Sequence, residues 1–374
     1  MRTSGLAALL GIALAVHALP AEKKKRKGTD EELVTQVREL PKDPPPVIKV
    51  DTSRLVFDVS PLSAKGLLSQ QVREALKALL ARSHGATMVR LRAFVAGSGD
   101  VRRVQMLVSA MFSEKRLPLP VLTVVQVGGL PLPGAQVVIE STAETKKPVN
   151  PDGLAFVSGH AVRSDDPTAD VAPLAGKSAA DLVKTLQSVQ LEPSDVLRVT
   201  CFSSSLQDFP KWQSGVAAVF PQASLNIVQV QRAPVHAIVE CEAVARLRAP
   251  LDQPLRFLDP QGPEEARTYS QVALVGASRI ALTGAQLGFR YQDEDIRLAF
   301  QRLGKVLGEA GTSLDRVAVS NIYPLTGAFA QRIRKIRTEF YSKAHPPAAT
   351  MLPFEDLPAL DASFAVDAVA VVSQ

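Results

Sequence analysis

The chain has 374 residues, 46% hydrophobic and 21% charged, enough apolar material for two or three cores and too much for a disordered chain. Its net charge is +6, but Lys23, Lys24, Lys25, Arg26 and Lys27 form one run, and setting those five charges aside leaves +1. A near-neutral body has no phosphate-backbone footprint, so nucleic acid is excluded as the expected partner and the run reads as a solvated tail.

Residues 1–21 read as a signal peptide: Arg2 precedes an apolar run from Leu6 to Val16, and Ala18 and Ala21 supply small residues for cleavage. The run is short for a bilayer, so a periplasmic or secreted protein with no membrane span after cleavage is expected. The basic run just beyond it resists translocation, which makes an N-terminal membrane anchor the alternative. Residues 22–47, with Pro41, Pro44, Pro45 and Pro46, read as a basic, proline-rich lead-in.

A first unit, 48–147, opens with a strand at 55–59. Leu68, Val72, Leu76, Leu79 and Leu80 then fall on one helical face between 67 and 82. A strand at 88–96, a turn at 97–100, a helix at 101–112 and strands near 122–127 and 136–143 follow. A second unit, 148–247, repeats the order: strand 154–159, helix 179–190 capped by Ser178, strand 196–202, helix 209–220, and strands 225–230 and 237–245. Residues 248–266, with Pro250, Pro254, Pro260 and Pro263, read as a linker. A third unit, 267–374, has strands at 269–275 and 279–284, a helix at 293–310 stopped by Gly311, a strand at 316–323, a helix at 329–341 and a closing strand pair.

The units share more than element order. Val138-Ile139-Glu140, Val239-Glu240-Cys241-Glu242 and Val366-Asp367 are alternating β-formers with an acid at one matching place, the pattern of a strand with one buried face. A strand ending in Phe94, Phe202 or Tyr323 precedes Glu140, Glu242 and Asp367 by 46, 40 and 44 residues. Three tandem repeats are the direct reading. Each would be a mixed sheet with two helices on one face, an α+β architecture.

Little else points to chemistry. His17, His84, His160, His236 and His345 have no metal-ligand spacing, and neither a metal nor a cofactor is expected. Cys201 and Cys241 lie inside strands and read first as small buried hydrophobes, with a disulfide or a reactive thiol left open. No nucleophile elbow or phosphate loop is present in the sequence.

With the units laid out, the chain resembles the YjgF/Rid family, also called endoribonuclease L-PSP-like. Tyr269-Ser270-Gln271 resembles the family's Pro-Tyr-Ser-Gln, Leu282-Thr283-Gly284 and Val157-Ser158-Gly159 its Ser-Gly strand end, and Pro347-Ala348 its Pro-Ala-Arg motif. Leu357-Pro358, the segment from Asp195 to Thr200, the segment from Leu206 to Phe209, and the Glu240/Glu242 pair also match. The resemblance implies chorismate-mutase-like modules, enamine or imine deamination, and pockets between modules. It further implies that three copies in one chain close into an intramolecular pseudo-trimer, a monomer with internal threefold symmetry.

One departure concerns the arginine that follows Pro-Ala in the family and grips a substrate carboxylate as a planar fork. Leu122, Leu225 and Ala349 stand at its three places. The resemblance leaves Glu240 and Glu242 as catalytic candidates for orienting water. Tyr269, Thr283, Gly284, Ser158, Gly159, Leu225, Ala349, Leu122, Arg334 and Asp367 are its ligand-site candidates, with Arg334 either a displaced cation or part of a solvated face with Arg332, Lys335 and Arg337. The expectation is an exported protein, diverged from the deaminases, that binds a small molecule or protein partner in its clefts. A deaminase using Glu240 and Glu242 is the alternative, and ribonuclease activity a third.

Overall fold

The computed structural model describes residues 42–97, 100–260 and 268–372. The first apolar runs become β1 (Val47–Asp51), β2 (Leu55–Val59), α1 (Leu68–Arg82), β3 (Thr87–Ala96), α2 (Val101–Glu114), β4 (Val121–Val127) and β5 (Val137–Glu144). Next come β6 (Leu154–Ser164), α3 (Val171–Ser188), β7 (Val196–Ser203), α4 (Phe209–Val219), β8 (Ser224–Gln229), β9 (Ala237–Arg246) and β10 (Leu255–Leu258). The chain ends with β11 (Val272–Val275), β12 (Arg279–Thr283), β13 (Gln286–Phe289), α5 (Asp293–Glu309), β14 (Val317–Pro324), α6 (Gly327–Ile336), β15 (Ala348–Met351) and β16 (Ala362–Val371).

The strands form three mixed sheets, so the α+β class read from element order stands. The first sheet runs β2-β5-β3-β4, the second β10-β11-β6-β9-β7-β8, and the third β1-β12-β16-β14-β15 with β13 also on β16. Each has one parallel pair, β3/β4, β7/β8 or β14/β15, and an antiparallel closing strand, β5, β9 or β16, beside it. A parallel pair needs a crossover, and α2, α4 and α6 supply it.

Each sheet covers one face with two helices. Leu76, Leu79, Val104 and Phe112 pack under α1 and α2, Leu182, Leu186 and Trp212 under α3 and α4, and Phe300, Leu303 and Ile333 under α5 and α6. The opposite faces meet in a common interior: Leu55, Val244 and Val369 share one apolar cluster, and Phe94, Phe202 and Tyr323 another. The closing strands are therefore buried on both faces, every residue of β16 included, where alternation suggested a single buried face.

Several local expectations change. β1 pairs with β12, so residues 47–51 complete the third sheet instead of the first. The expected linker contains β10, and β11 lies between β10 and β6 in the second sheet although it opens the third unit in sequence. Helix α3 starts earlier than 179: the Asp170 carboxylate accepts the Ala172 N–H at 2.9 Å and caps it. Ser178 instead lies mid-helix, donating to the His160 carbonyl at 2.6 Å and accepting the Cys241 N–H at 3.0 Å. The helix expected at 329–341 is α6, ending at Ile336, followed by one tighter turn, Arg337–Glu339. Cys201 and Cys241 are both buried, as small hydrophobes are, but they face each other across β7 and β9 and form a disulfide.

No helix among the described residues is long and apolar enough to cross a membrane. The expected signal peptide, the basic run with the lead-in up to residue 41, and Ser98 and Gly99 of the expected turn lie outside the described residues.

Candidate functional site

The closing strands bring the three matching acids to one place. Glu140 lies opposite Arg92, Glu242 opposite Thr200 and Asp367 opposite Asn321, all in the common interior and all buried. Arg92 sits among them. It reaches Glu140 Oε2 at 2.7 Å and Glu242 Oε1 at 2.6 Å, and donates to the Thr200 hydroxyl at 3.2 Å. Arg90 pairs with Asp367 at 2.5 Å, and Arg198 lies 3.5 Å from Glu140 and 3.8 Å from Glu242. Three guanidinium groups thus offset three carboxylates.

Neutral donors complete the cluster, some crossing between sheets. Thr123 of β4 donates to Asp367 at 2.7 Å, and Asn226 of β8 donates to Glu140 at 2.7 Å. Asn321 and the Tyr323 hydroxyl each donate to Asp367 at 3.0 Å. Burial pushes the Glu140 carboxyl up, but Arg92, Arg198, Thr200 and Asn226 outweigh it and hold it down at about 2. Burial alone would depress Arg92; Glu140 and Glu242 reverse that and raise it. This is a closed ionic core. Glu242 and Asp367, candidates from the sequence, belong to it, and Glu242 also lines a small cavity of about 20 Å³ with Arg90, Arg198 and Asn321.

Glu240, two residues earlier on the same strand face, has another environment. It lies opposite Ala161 and Phe202 and is 5% exposed. Burial raises its carboxyl to about 8, with Arg163, Arg334 and the Met351 backbone pulling the other way. Arg163, Arg334 and Met351 also line a cavity of about 360 Å³ where β6, α6 and β15 meet. At neutral pH Glu240 is therefore mainly a carboxylic acid, able to donate; it lies beside the cavity and not in its lining, which carries the two guanidinium groups and His236.

The backbone is shaped around this carboxyl. The β6/β9 register shifts between Val157 and His160, and a Cβ on Gly159 would lie 2.1 Å from Glu240 Oε1. Ser158 is a staple: its hydroxyl donates to the Ser270 carbonyl at 2.6 Å and accepts the Ala349 N–H at 2.9 Å, tying β6, the start of β11 and β15 together. Tyr269, beside Ser270, is half-buried. Arg334 is half-buried and donates to Gln331 at 2.9 Å, whereas Arg332 is exposed and pairs with Asp293 at 2.5 Å and Arg337 is buried. These arginines do not form a single solvated face.

Leu122, Leu225 and Ala349 hold matching register positions, paired with Leu91, Val199 and Ser320, each one residue before the partner of an acid. Leu225 lines a second cavity of about 210 Å³ with Val59, Ser60, Val138, Asn226 and Ile227; Val138 stands where β9 has Glu240. At the third junction the Ala285 N–H donates to the Leu122 carbonyl at 3.2 Å, and a Cβ on Gly284 would lie 3.0 Å from that oxygen. Thr283 is buried, its hydroxyl accepting the Ala368 N–H at 2.9 Å, and buried Ala365 takes the position of Glu240. Of the three junctions, the one between the second and third sheets has the buried acid.

The sequence reading missed Arg90, Arg92, Arg198, Thr123 and Asn226. A signal was present: Arg90 and Arg92 alternate inside an otherwise apolar strand, which puts both charges on one buried face and demands carboxylate partners.

The strand and helix order of the second sheet has a counterpart among known proteins. Residues 146–247 match the Endoribonuclease L-PSP family. That is the segment carrying Ser158, Gly159, Glu240 and Glu242. Solved YjgF/Rid structures are similar to about a third of the chain. A YjgF family member from Neisseria meningitidis is 12% identical, covering 32% of this chain and 96% of its own at a TM-score of 0.24. The Rid family protein YyfB of Yersinia pestis is 17% identical, at 32%, 100% and 0.29. A YjgF/YER057c/UK114 family member from Mycobacterium tuberculosis is 21% identical, at 32%, 99% and 0.24. No curated protein matches the chain.

Proposed function

We propose that this protein is a diverged, exported Rid/YjgF-like binding protein. Its three units are taken as divergent copies closed into an intramolecular trimer, with a small molecule bound in the cleft above Glu240 and not hydrolysed there. The observation carrying this reading is the chemistry at that cleft: Arg163, Arg334 and His236 line it beside a protonated Glu240, and neither acid of the Glu240/Glu242 pair is a carboxylate free to activate water. Glu242 is held by Arg92 at 2.6 Å, and Glu240 at about 8 is an acid rather than a base below that pH. Ala349 stands where the resemblance puts the carboxylate-gripping arginine, so a substrate held by that fork loses a charge-assisted contact worth roughly 1.5–3 kcal/mol.

The intramolecular trimer is supported by the three helix-backed sheets, their matching acid positions and their common interior. Export is supported by the signal-like residues 1–21 and by the Cys201–Cys241 disulfide, a bond that persists in oxidising compartments.

The test is ammonia release from imines generated in place by an amino-acid oxidase, run beside native mass spectrometry of protein isolated from its host. No release by wild type, a retained small molecule, and its loss in Arg334→Met support the binding reading. Ammonia release abolished by Glu240→Gln overturns it in favour of a deaminase. A native mass of three chains instead of one overturns the intramolecular trimer.

A further inference from the structure

Four arginines are buried among the described residues: Arg90, Arg92, Arg198 and Arg337. The first three share the carboxylates of the ionic core. Arg337, 1% exposed in the turn after α6, has no carboxylate partner among the described residues. Its Nη2 donates to the carbonyl and hydroxyl oxygens of Thr268, and its Nε and Nη1 have no acceptor among the described residues. A buried guanidinium left in that state is costly, because each unmade charged hydrogen bond forfeits the solvation it had in water.

Arg337 lines a cavity of about 250 Å³ together with Thr268, Thr338, Tyr341, Ser342 and Lys343. Among the described residues no carboxylate is in that lining. The Tyr341 hydroxyl is turned to Ser320 at 3.0 Å, and the Thr338 hydroxyl donates to the Lys335 carbonyl at 2.7 Å. Ser342 Oγ accepts the His345 N–H at 3.2 Å, which leaves its own O–H free to donate into the cavity. Two cations and a hydroxyl donor therefore line a space that no anionic group of the described residues enters. Burial lowers the Arg337 guanidinium to about 10, so it remains charged at neutral pH.

We propose that this cavity binds a phosphate group, free or as the monoester of a small molecule, on Arg337, Lys343 and Ser342. A phosphate monoester carries about −1.5 to −2 charges near neutral pH, which complements one arginine and one lysine, and its oxygens accept several donors at once. The site is separate from the cleft above Glu240 and stands or falls independently of the function proposed for that cleft.

The test is calorimetric titration of the full chain with inorganic phosphate, ribose 5-phosphate and, as a neutral control, ribose. Saturable binding of either phosphate but not of ribose is expected. Tighter binding of the ester identifies a phosphorylated metabolite as the natural occupant, and equal binding identifies free phosphate. Lys343→Met, at an exposed position, should weaken binding about tenfold, and Arg337→Met about a hundredfold or more. Far-ultraviolet circular dichroism and Trp212 fluorescence establish that each variant is folded. Two results overturn the site: no saturable heat from either phosphate with wild type, or binding unchanged in folded Lys343→Met.

Discussion

Replacing Arg92 by methionine is the sharpest test of the ionic core. The substitution keeps an unbranched side chain but removes the guanidinium that reaches both Glu140 and Glu242 within 2.7 Å. Three buried carboxylates would then face two guanidinium groups, Arg90 and Arg198. Removing one partner of a buried pair typically costs about 3–5 kcal/mol, and that is the expected loss at pH 7. Glu140 gives an independent figure. Its folded value of about 2 lies below the ordinary 4.5, so it contributes roughly 3 kcal/mol, fully present above pH 4.5 and lost as pH falls towards 2. Without Arg92 the Glu140 carboxyl loses its largest charge partner and titrates upward, so the gap between variant and wild type should shrink from pH 8 to pH 5. Urea unfolding followed by Trp212, the single tryptophan and 4% exposed, reads these differences directly. Adding Glu242→Gln to the variant removes one uncompensated charge and should recover at least about 1 kcal/mol. A loss below about 1 kcal/mol for Arg92→Met at pH 7 would refute the reasoning.

Glu240→Gln tests the raised carboxyl. A carboxyl at about 8 when folded and 4.5 when unfolded favours the fold below pH 4.5, and that contribution is lost as pH rises to 8, on the order of 4–5 kcal/mol in all. The variant should thus match wild type at pH 5 and be more stable at pH 9, read by urea midpoints; equal pH dependence in the two proteins would show that Glu240 does not titrate there. Cys201 and Cys241 close a loop with a sequence separation of 40, for which chain entropy gives about 4 kcal/mol as an upper figure. Replacing both by alanine should lower the melting temperature by several degrees, and an unchanged melting temperature under reducing and oxidising conditions would show that the bond does not form.

Much of this architecture was legible because it is local. The 3.6-residue stripe of Leu68, Val72, Leu76 and Leu79 gives α1, and Asp293, Glu294 and Asp295 in the first turn with Gly311 past the end frame α5. Glu140, Glu242 and Asp367 were aligned by spacing, and they do occupy matching registers. Long-range pairing was not legible. β1 joins residues 47–51 to 279–283, and nothing in the period of either strand names its partner. The disulfide depends on the same hidden register, since Cys201 and Cys241 must fall directly opposite each other. Glu240 and Glu242 looked interchangeable because alternation puts both on one face. Only neighbouring elements separate them: Arg92 of the first sheet meets Glu242, while Gly159 makes room for Glu240.

The residues opposite the three acids are Arg92, Thr200 and Asn321, each different. In an assembly of identical subunits a mutation at such a position appears at every corner simultaneously. Three arginines would crowd like charges at the centre, and three threonines would strand the carboxylates. Joining the units in one polypeptide removes that constraint. A single guanidinium serves two acids while a threonine and an asparagine stand opposite the other two, and Val138 and Ala365 hold the register positions that match Glu240. With all three sheets in one polypeptide, a substitution at one of these positions leaves the other two unchanged.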